Sequence, residues 1–114
     1  MTPEEAYAAI GGNYQNIVKR LGSEASVQRF CKMFLADESY KNIRIYLEQG
    51  NIDDAFRMAH TLKGSSQMLE LTDLYHSSFD VTEALRNKEF DNLEALLTKL
   101  DQDYAVVFDA FSLL

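Results

Sequence analysis

Structure-breaking residues are scarce in this chain: one proline and five glycines in 114 residues, too few to punctuate the many turns of an all-β domain. The single cysteine, Cys31, excludes an internal disulfide. Set within a helical pattern, it reads as a buried free thiol suited to a reducing compartment. No run of about 18 apolar residues occurs, so no membrane-spanning helix is expected. The start, Met1-Thr2-Pro3-Glu4-Glu5, is acidic and lacks the apolar stretch of a leader peptide. Positive charge is also short. Eleven Lys and Arg against 18 Asp and Glu give a net charge of −7, so the surface as a whole should repel nucleic acid and anionic membranes. No glycine-rich nucleotide loop is present, because Gly11-Gly12 is not followed by Lys-Ser/Thr. The expectation is one acidic cytoplasmic domain over residues 1–114, with neither nucleic acid nor membrane as a partner.

What is there is helical periodicity, almost end to end. Thr2 reads as an N-cap with Pro3 at the first helical position and acids in the first turn. Gly11-Gly12 interrupts that helix, and Tyr14, Ile17, Val18 and Leu21 resume an apolar face as far as Gly22. Ser23 caps a helix carrying Val27, Phe30, Cys31, Phe34 and Leu35. Asp37-Glu38-Ser39 marks a kink or break, after which Tyr40, Ile43, Tyr46 and Leu47 run to a stop at Gly50. Asn51 caps the next helix, with Asp53 and Asp54 in its first turn. Thr72-Asp73 opens another, bearing Leu74, Ser78, Val81 and Leu85. In the last helix, Leu93, Leu97, Leu100, Tyr104, Val107, Phe111 and Leu114 alternate spacings of four and three, a heptad seam. Such a seam serves an intermolecular coiled coil or the inside of one bundle. With three other amphipathic helices on short connections, the bundle buries it more simply. The expected fold is all-α: an antiparallel up-down four-helix bundle over residues 23–114, with a shorter N-terminal helical segment, residues 1–22, packed across it.

The helix after Asn51 holds the residue that needs explaining. At about 100° per residue, Ile52, Ala55, Ala59, Leu62, Ser66 and Leu69 share one apolar-to-small stripe. His60 lies well off it, flanked by Phe56, Lys63, Gly64 and Gln67. Lys63, one turn on, can reach a charge placed on the imidazole. Gly64 costs the helix about 1 kcal/mol relative to alanine, and close approach of a partner's backbone is one reason for it. The Gln67 amide can orient the ring or a phosphoryl oxygen. Phe56, Arg57, Gln67, Met68 and Leu71 ring His60 as a candidate docking surface, Phe56 serving either there or as boundary core. His76 falls opposite the stripe of its own helix and is expected in solvent. No metal site is read, since Asp73-x-x-His76 is half of a bundle metal motif and Arg57 stands where His60 would need an acid.

His60-Thr61-Leu62-Lys63-Gly64-Ser65-Ser66, preceded by Ala59 and followed by Leu69, resembles the signature of histidine-containing phosphotransfer (HPt) domains. These are four-helix-bundle relays of multistep two-component signalling. The resemblance covers roughly Ser23 to Leu114. It implies that His60 is phosphorylated on a ring nitrogen, that Lys63 stabilises the phosphoryl charge, and that Gly64 clears space for the docking partner. It further implies partners acting in trans, namely response-regulator receiver domains and a hybrid histidine kinase. The chain itself would need no cofactor and would be a phosphocarrier rather than an enzyme, the receiver supplying its own aspartate and Mg²⁺. A monomer is expected.

Two positions depart from the family pattern. Ten residues after the histidine the family usually has glycine, and here Glu70 stands there. The helical wheel puts it near Lys63, where it would pair with that lysine or repel an acidic receiver site. A glutamine often follows 22 residues after the histidine to bond the imidazole, and Thr82 takes that place with a shorter reach. An alternative reading follows from these departures, a non-phosphorylated HPt-like adaptor that binds a receiver or kinase. An oligomeric structural bundle built on the Leu93–Leu114 seam is a third.

Overall fold

The computed structural model describes all 114 residues, as seven helices and no strand. They are α1 (Pro3–Ala9), α2 (Tyr14–Leu21), α3 (Glu24–Ala36), α4 (Ser39–Glu48), α5 (Ile52–Met68), α6 (Thr72–Asn87) and α7 (Leu93–Phe111). Local chemistry sets most of the boundaries. Thr2 and Glu5 form a reciprocal capping box at α1: the Glu5 N–H donates to Thr2 Oγ1 at 3.1 Å, and the Thr2 N–H donates to Glu5 Oε1 at 2.9 Å. Asn13, Ser23 and Asn51 each accept an orphan N–H at the starts of α2, α3 and α5, satisfying donors that no intrahelical carbonyl can reach. The N-terminal segment is two helices, interrupted at Gly11-Gly12 as the sequence indicates. Gly11 takes φ +71°, and Gly12 lies so close to Tyr7 that a β-carbon there would stand 2.9 Å from the ring.

The break expected at Asp37-Glu38-Ser39 is present. Asp37 leaves helical geometry, and its Oδ1 accepts the Ser39 N–H at 2.7 Å, so α3 ends and α4 starts afresh. The four walls of the bundle are α3 with α4, α5, α6 and α7. α4 packs on α5, α5 on α6 and α6 on α7. The ring closes where α7 returns to α3 and α4. Tyr104 stacks on Tyr40 with centroids 3.7 Å apart and 5° between the planes, and lies 5.9 Å from Phe34. Tyr40 donates its hydroxyl proton to Asp101 Oδ1 at 2.5 Å, while Arg44 reaches Oδ2 at 2.7 Å. Burial, then the Asp101 carboxylate that takes its hydrogen bond, pushes the Tyr40 phenol well above its ordinary range.

The heptad seam of α7 lies inside this bundle: Leu97, Leu100, Val107 and Phe111 are buried, and Leu93, Tyr104 and Leu114 are partly so. Each large apolar side chain taken out of water stabilises by about 1.5–3 kcal/mol before entropy is charged against it. α1 and α2 cross the end of the bundle and share its core, with Ala6, Tyr7 and Ile17 fully buried. The Tyr7 ring sits 5.9 Å from Phe111, and its hydroxyl donates to the Leu69 carbonyl at 2.8 Å. That contact fixes the connection that follows α5. Cys31 is a buried free thiol in the same core, and burial pushes it up to about 11. No helix is long and apolar enough to cross a membrane.

Candidate functional site

The face of α5 is set by its small residues. Ala55, Ala59, Leu62 and Ser66 are buried, and the Ser66 hydroxyl returns its proton to the Leu62 carbonyl at 2.8 Å. Small side chains on that stripe let α5 approach α4 and α6 closely. With the stripe inward, His60 is exposed. The side-chain hydrogen bonds of α5 belong to Asn51, Asp54 and Ser66, and the imidazole takes part in none. Its ring has Phe56 for a neighbour one turn earlier, centroids 6.0 Å apart and tilted 44°.

Two contacts between cations and aromatic rings tie α5 to α6 on either side of this histidine. The Arg86 guanidinium carbon lies 4.9 Å from the centre of the Phe56 ring, and the Lys63 ammonium lies 5.6 Å from that of Phe79. At partly exposed sites each is worth about 0.5–1 kcal/mol. Together they hold α5 and α6 in one antiparallel register, with His60 midway along the α5 side and Thr82 and Glu83 midway along the α6 side. Lys63 is half-buried and makes no ion pair; its ammonium rests against the Phe79 ring alone. Arg57 pairs with Asp54 at 3.1 Å, and Arg86 Nε with Glu83 Oε2 at 3.3 Å. Phe56, Arg57, Met58, His60, Thr61 and Arg86 line one shallow open depression. In a chain of net charge −7, three cations flank this one histidine.

Gly64 is exposed and helical, and a β-carbon built on it meets no atom within 4 Å. Neither backbone geometry nor packing within the chain calls for glycine there. Phe56 is half-buried against the core while its ring flanks His60, so it is boundary core and site wall together. Gln67 is exposed, and Met68 is exposed on the last turn of α5.

Three expected positions are corrected. Leu71 is a core residue, 3% exposed, and has no side chain to offer a partner. The wheel misplaced it because α5 ends at Met68 and the chain then turns. Glu70 sits in that turn at φ +56°, and its carboxylate pairs with Arg20 at 3.8 Å rather than with Lys63. Arg20 also donates to the Gln67 and Met68 carbonyls at 3.3 and 3.2 Å, closing the end of α5. Thr82 stands opposite His60 in register but is fully buried, and its hydroxyl proton goes to the Ser78 carbonyl at 2.6 Å. It therefore has no proton to offer the imidazole. Phe79 and Arg86 are the site residues that sequence reasoning missed; their spacing of seven on the exposed side of α6 was the available signal. His76 is exposed with its ring against Tyr75, and nowhere do three or more His, Cys, Asp or Glu side chains gather as a metal-binding group.

Comparison with known proteins bears on this arrangement. A family model described as the Hpt domain matches residues 29–110, which take in most of α3 and all of α4, α5 and α6. The chain is similar to the chemotaxis protein CheA of Borreliella burgdorferi, 47% identical over 57 residues. That match covers 44% of this chain and 7% of the length of that relative, so the similarity concerns one small part of it. No solved structure matches the chain.

Proposed function

The chain belongs to the Hpt-domain family, and from that membership we propose that it is a histidine phosphotransfer protein of a multistep two-component phosphorelay in which His60 accepts and donates the phosphoryl group. The observation that carries this is an exposed imidazole with no hydrogen bond inside the chain, one turn from a lysine that makes no ion pair and beside a glycine whose missing side chain faces open space. In the forward step the lone pair of one ring nitrogen attacks the phosphorus of a receiver's aspartyl phosphate. The N–P bond forms as the acyl P–O bond breaks, and the aspartate leaves as a carboxylate. The return step reverses each change. The transition state is loose, so catalysis is positioning and charge stabilisation. Lys63 supplies charge, Gly64 admits the partner's backbone, and Gln67 is an auxiliary polar contact. Phe56, Arg57 and Met68 are the docking residues that the surface retains. A receiver domain brings the aspartate and Mg²⁺, and a hybrid kinase acting in trans is the upstream source. The adaptor reading, which drew on Glu70 and Thr82, differs in its outcome: an adaptor takes no label and still binds a receiver after His60→Gln.

The test uses a receiver domain carrying radiolabelled aspartyl phosphate. Label should pass to the wild type as an acid-labile, alkali-stable product and fail to pass to His60→Gln. A wild type that stays unlabelled across the receivers of its organism, or a His60→Gln protein that labels equally, refutes the relay.

A further inference from the structure

We infer that the cavity between the Gly11-Gly12 loop, the turn after α5 and α7 is a binding site for a small aliphatic amine, whose ammonium group Asp103 and Asp73 take. It stands apart from the reading of His60 and does not depend on it. The cavity, about 280 Å³, is closed by that loop, by the turn and the first residues of α6, and by the second half of α7. Its volume lies just under the range of pockets that hold drug-sized molecules, which suits a smaller ligand. Ile10, Leu74 and Val107 contribute apolar wall. The charged lining is acidic alone: Glu70, Asp73 and Asp103 face the cavity, and no Lys, Arg or His does.

Asp103 carries the inference. It is 9% exposed, an unusual depth for a carboxylate. Its Oδ1 accepts a proton of the Lys99 ammonium at 2.7 Å, while Oδ2 is buried and has no hydrogen-bond partner. A buried charged oxygen left unpaired is costly, and an N–H donor held in the cavity relieves that cost. Asp73 is exposed, and its carboxylate makes no ion pair. The Lys99 ammonium is held above its ordinary range first by its bond to Asp103 and more weakly by the Asp73 charge, so the two carboxylates share one field. Glu70 is engaged by Arg20 and adds charge rather than a free acceptor. Asp73 also sits in the first turn of α6, where it offsets the positive end of that helix. The Gly11 and Gly12 carbonyls accept no backbone hydrogen bond and offer further acceptors beside the acids. These carboxylates do not gather as a metal-binding group. An organic ammonium on a short apolar stem is the ligand class that uses both the acids and the apolar wall.

Isobutylamine is a suitable probe, an ammonium group on a branched stem. Titrated into isotope-labelled protein near neutral pH, it should give saturable NMR shifts at the Gly11, Gly12 and Thr72 amides. Asp103→Asn should weaken binding about tenfold, the loss expected of one charge-assisted hydrogen bond. Asp73→Asn, at an exposed carboxylate, should weaken it about threefold. Isobutanol has the same stem without the charge and should bind about tenfold more weakly than the amine. If Asp103→Asn fails to fold, the Asp73→Asn and isobutanol comparisons still decide. Shifts that rise without saturating, isobutanol binding as tightly as the amine, or unchanged affinity in the folded variants overturn the inference. Saturable shifts from valine or Mg²⁺ where isobutylamine gives none overturn it too, since the cavity then takes a zwitterion or a metal ion.

Discussion

Gly64→Ala separates what the chain needs from what a partner needs. An exposed glycine inside a helix of 17 residues costs about 0.8–1 kcal/mol relative to alanine, from the extra freedom of the unfolded backbone and the loss of shielding. No steric cost offsets this, because the added β-carbon meets no atom within 4 Å and the backbone is helical. The substitution should therefore stabilise the isolated protein by about 0.8 kcal/mol. At about 2.1 cal/mol/K of unfolding entropy per residue, 114 residues convert that to a Tm rise of about 3 °C. Far-UV circular dichroism during urea and thermal unfolding reads it directly, which suits a chain with no tryptophan. Phosphoryl transfer from a receiver should move the other way, falling on the order of tenfold, since displacement of a reacting pair by a fraction of an ångström is costly. An alanine protein less stable than wild type means that glycine serves the fold. One that is more stable and transfers at full rate means that no partner comes close to this position.

The second glycine next to a ring gives the opposite sign. Gly12→Ala places a β-carbon 2.9 Å from a Tyr7 ring that is fully buried and tethered to Leu69, so a loss of about 1–3 kcal/mol is expected in urea unfolding. Glu70 occupies a left-handed position, φ +56°, which costs a residue with a β-carbon about 1–2 kcal/mol. Glu70→Gly removes that cost and gives up one weakly paired carboxylate, so it should be more stable than Glu70→Ala, which loses the pair and keeps the strain; the reverse order contradicts the assignment. Cys31 adds a pH dependence. Its folded value of about 11 stands above the ordinary 9, so folding favours the protonated thiol. The stability it contributes is complete below pH 9 and is lost as pH rises toward 11, a decline of about 2 kcal/mol. Urea midpoints measured across that range should fall less steeply for Cys31→Ala than for wild type.

The elements were legible wherever a local signal fixed them. Thr2, Ser23 and Asn51 name their own caps, Asp37 to Ser39 breaks the helix with a side-chain bond, and the Leu93 to Leu114 seam has a period that only a packed helix satisfies. His60 was separable from the core because α5 is regular from Ile52 through Met68. Past Met68 the same wheel fails, which is why Leu71 seemed to face outward and Glu70 to reach Lys63. Thr82 could be counted to the right register but not to the right depth, since its burial and its bond to Ser78 depend on how α6 rolls against its neighbours. Phe79 and Arg86 reach the site only through that interhelix register. Their spacing of seven puts them on one exposed face of α6, but that spacing alone does not say which helix the face meets.

The most direct measurement of the central proposal is a chase. Wild-type protein is loaded with radiolabel from a phosphorylated receiver and freed of the donor. It is then mixed with unphosphorylated receiver domain and Mg²⁺ and quenched at short intervals. The expected result is acid-labile label leaving His60 and appearing on the receiver's aspartate, with no label to chase in His60→Gln. Label that never loads, that loads equally in His60→Gln, or that stays on the chain while free receiver accumulates none contradicts the assignment of His60 as a relay residue.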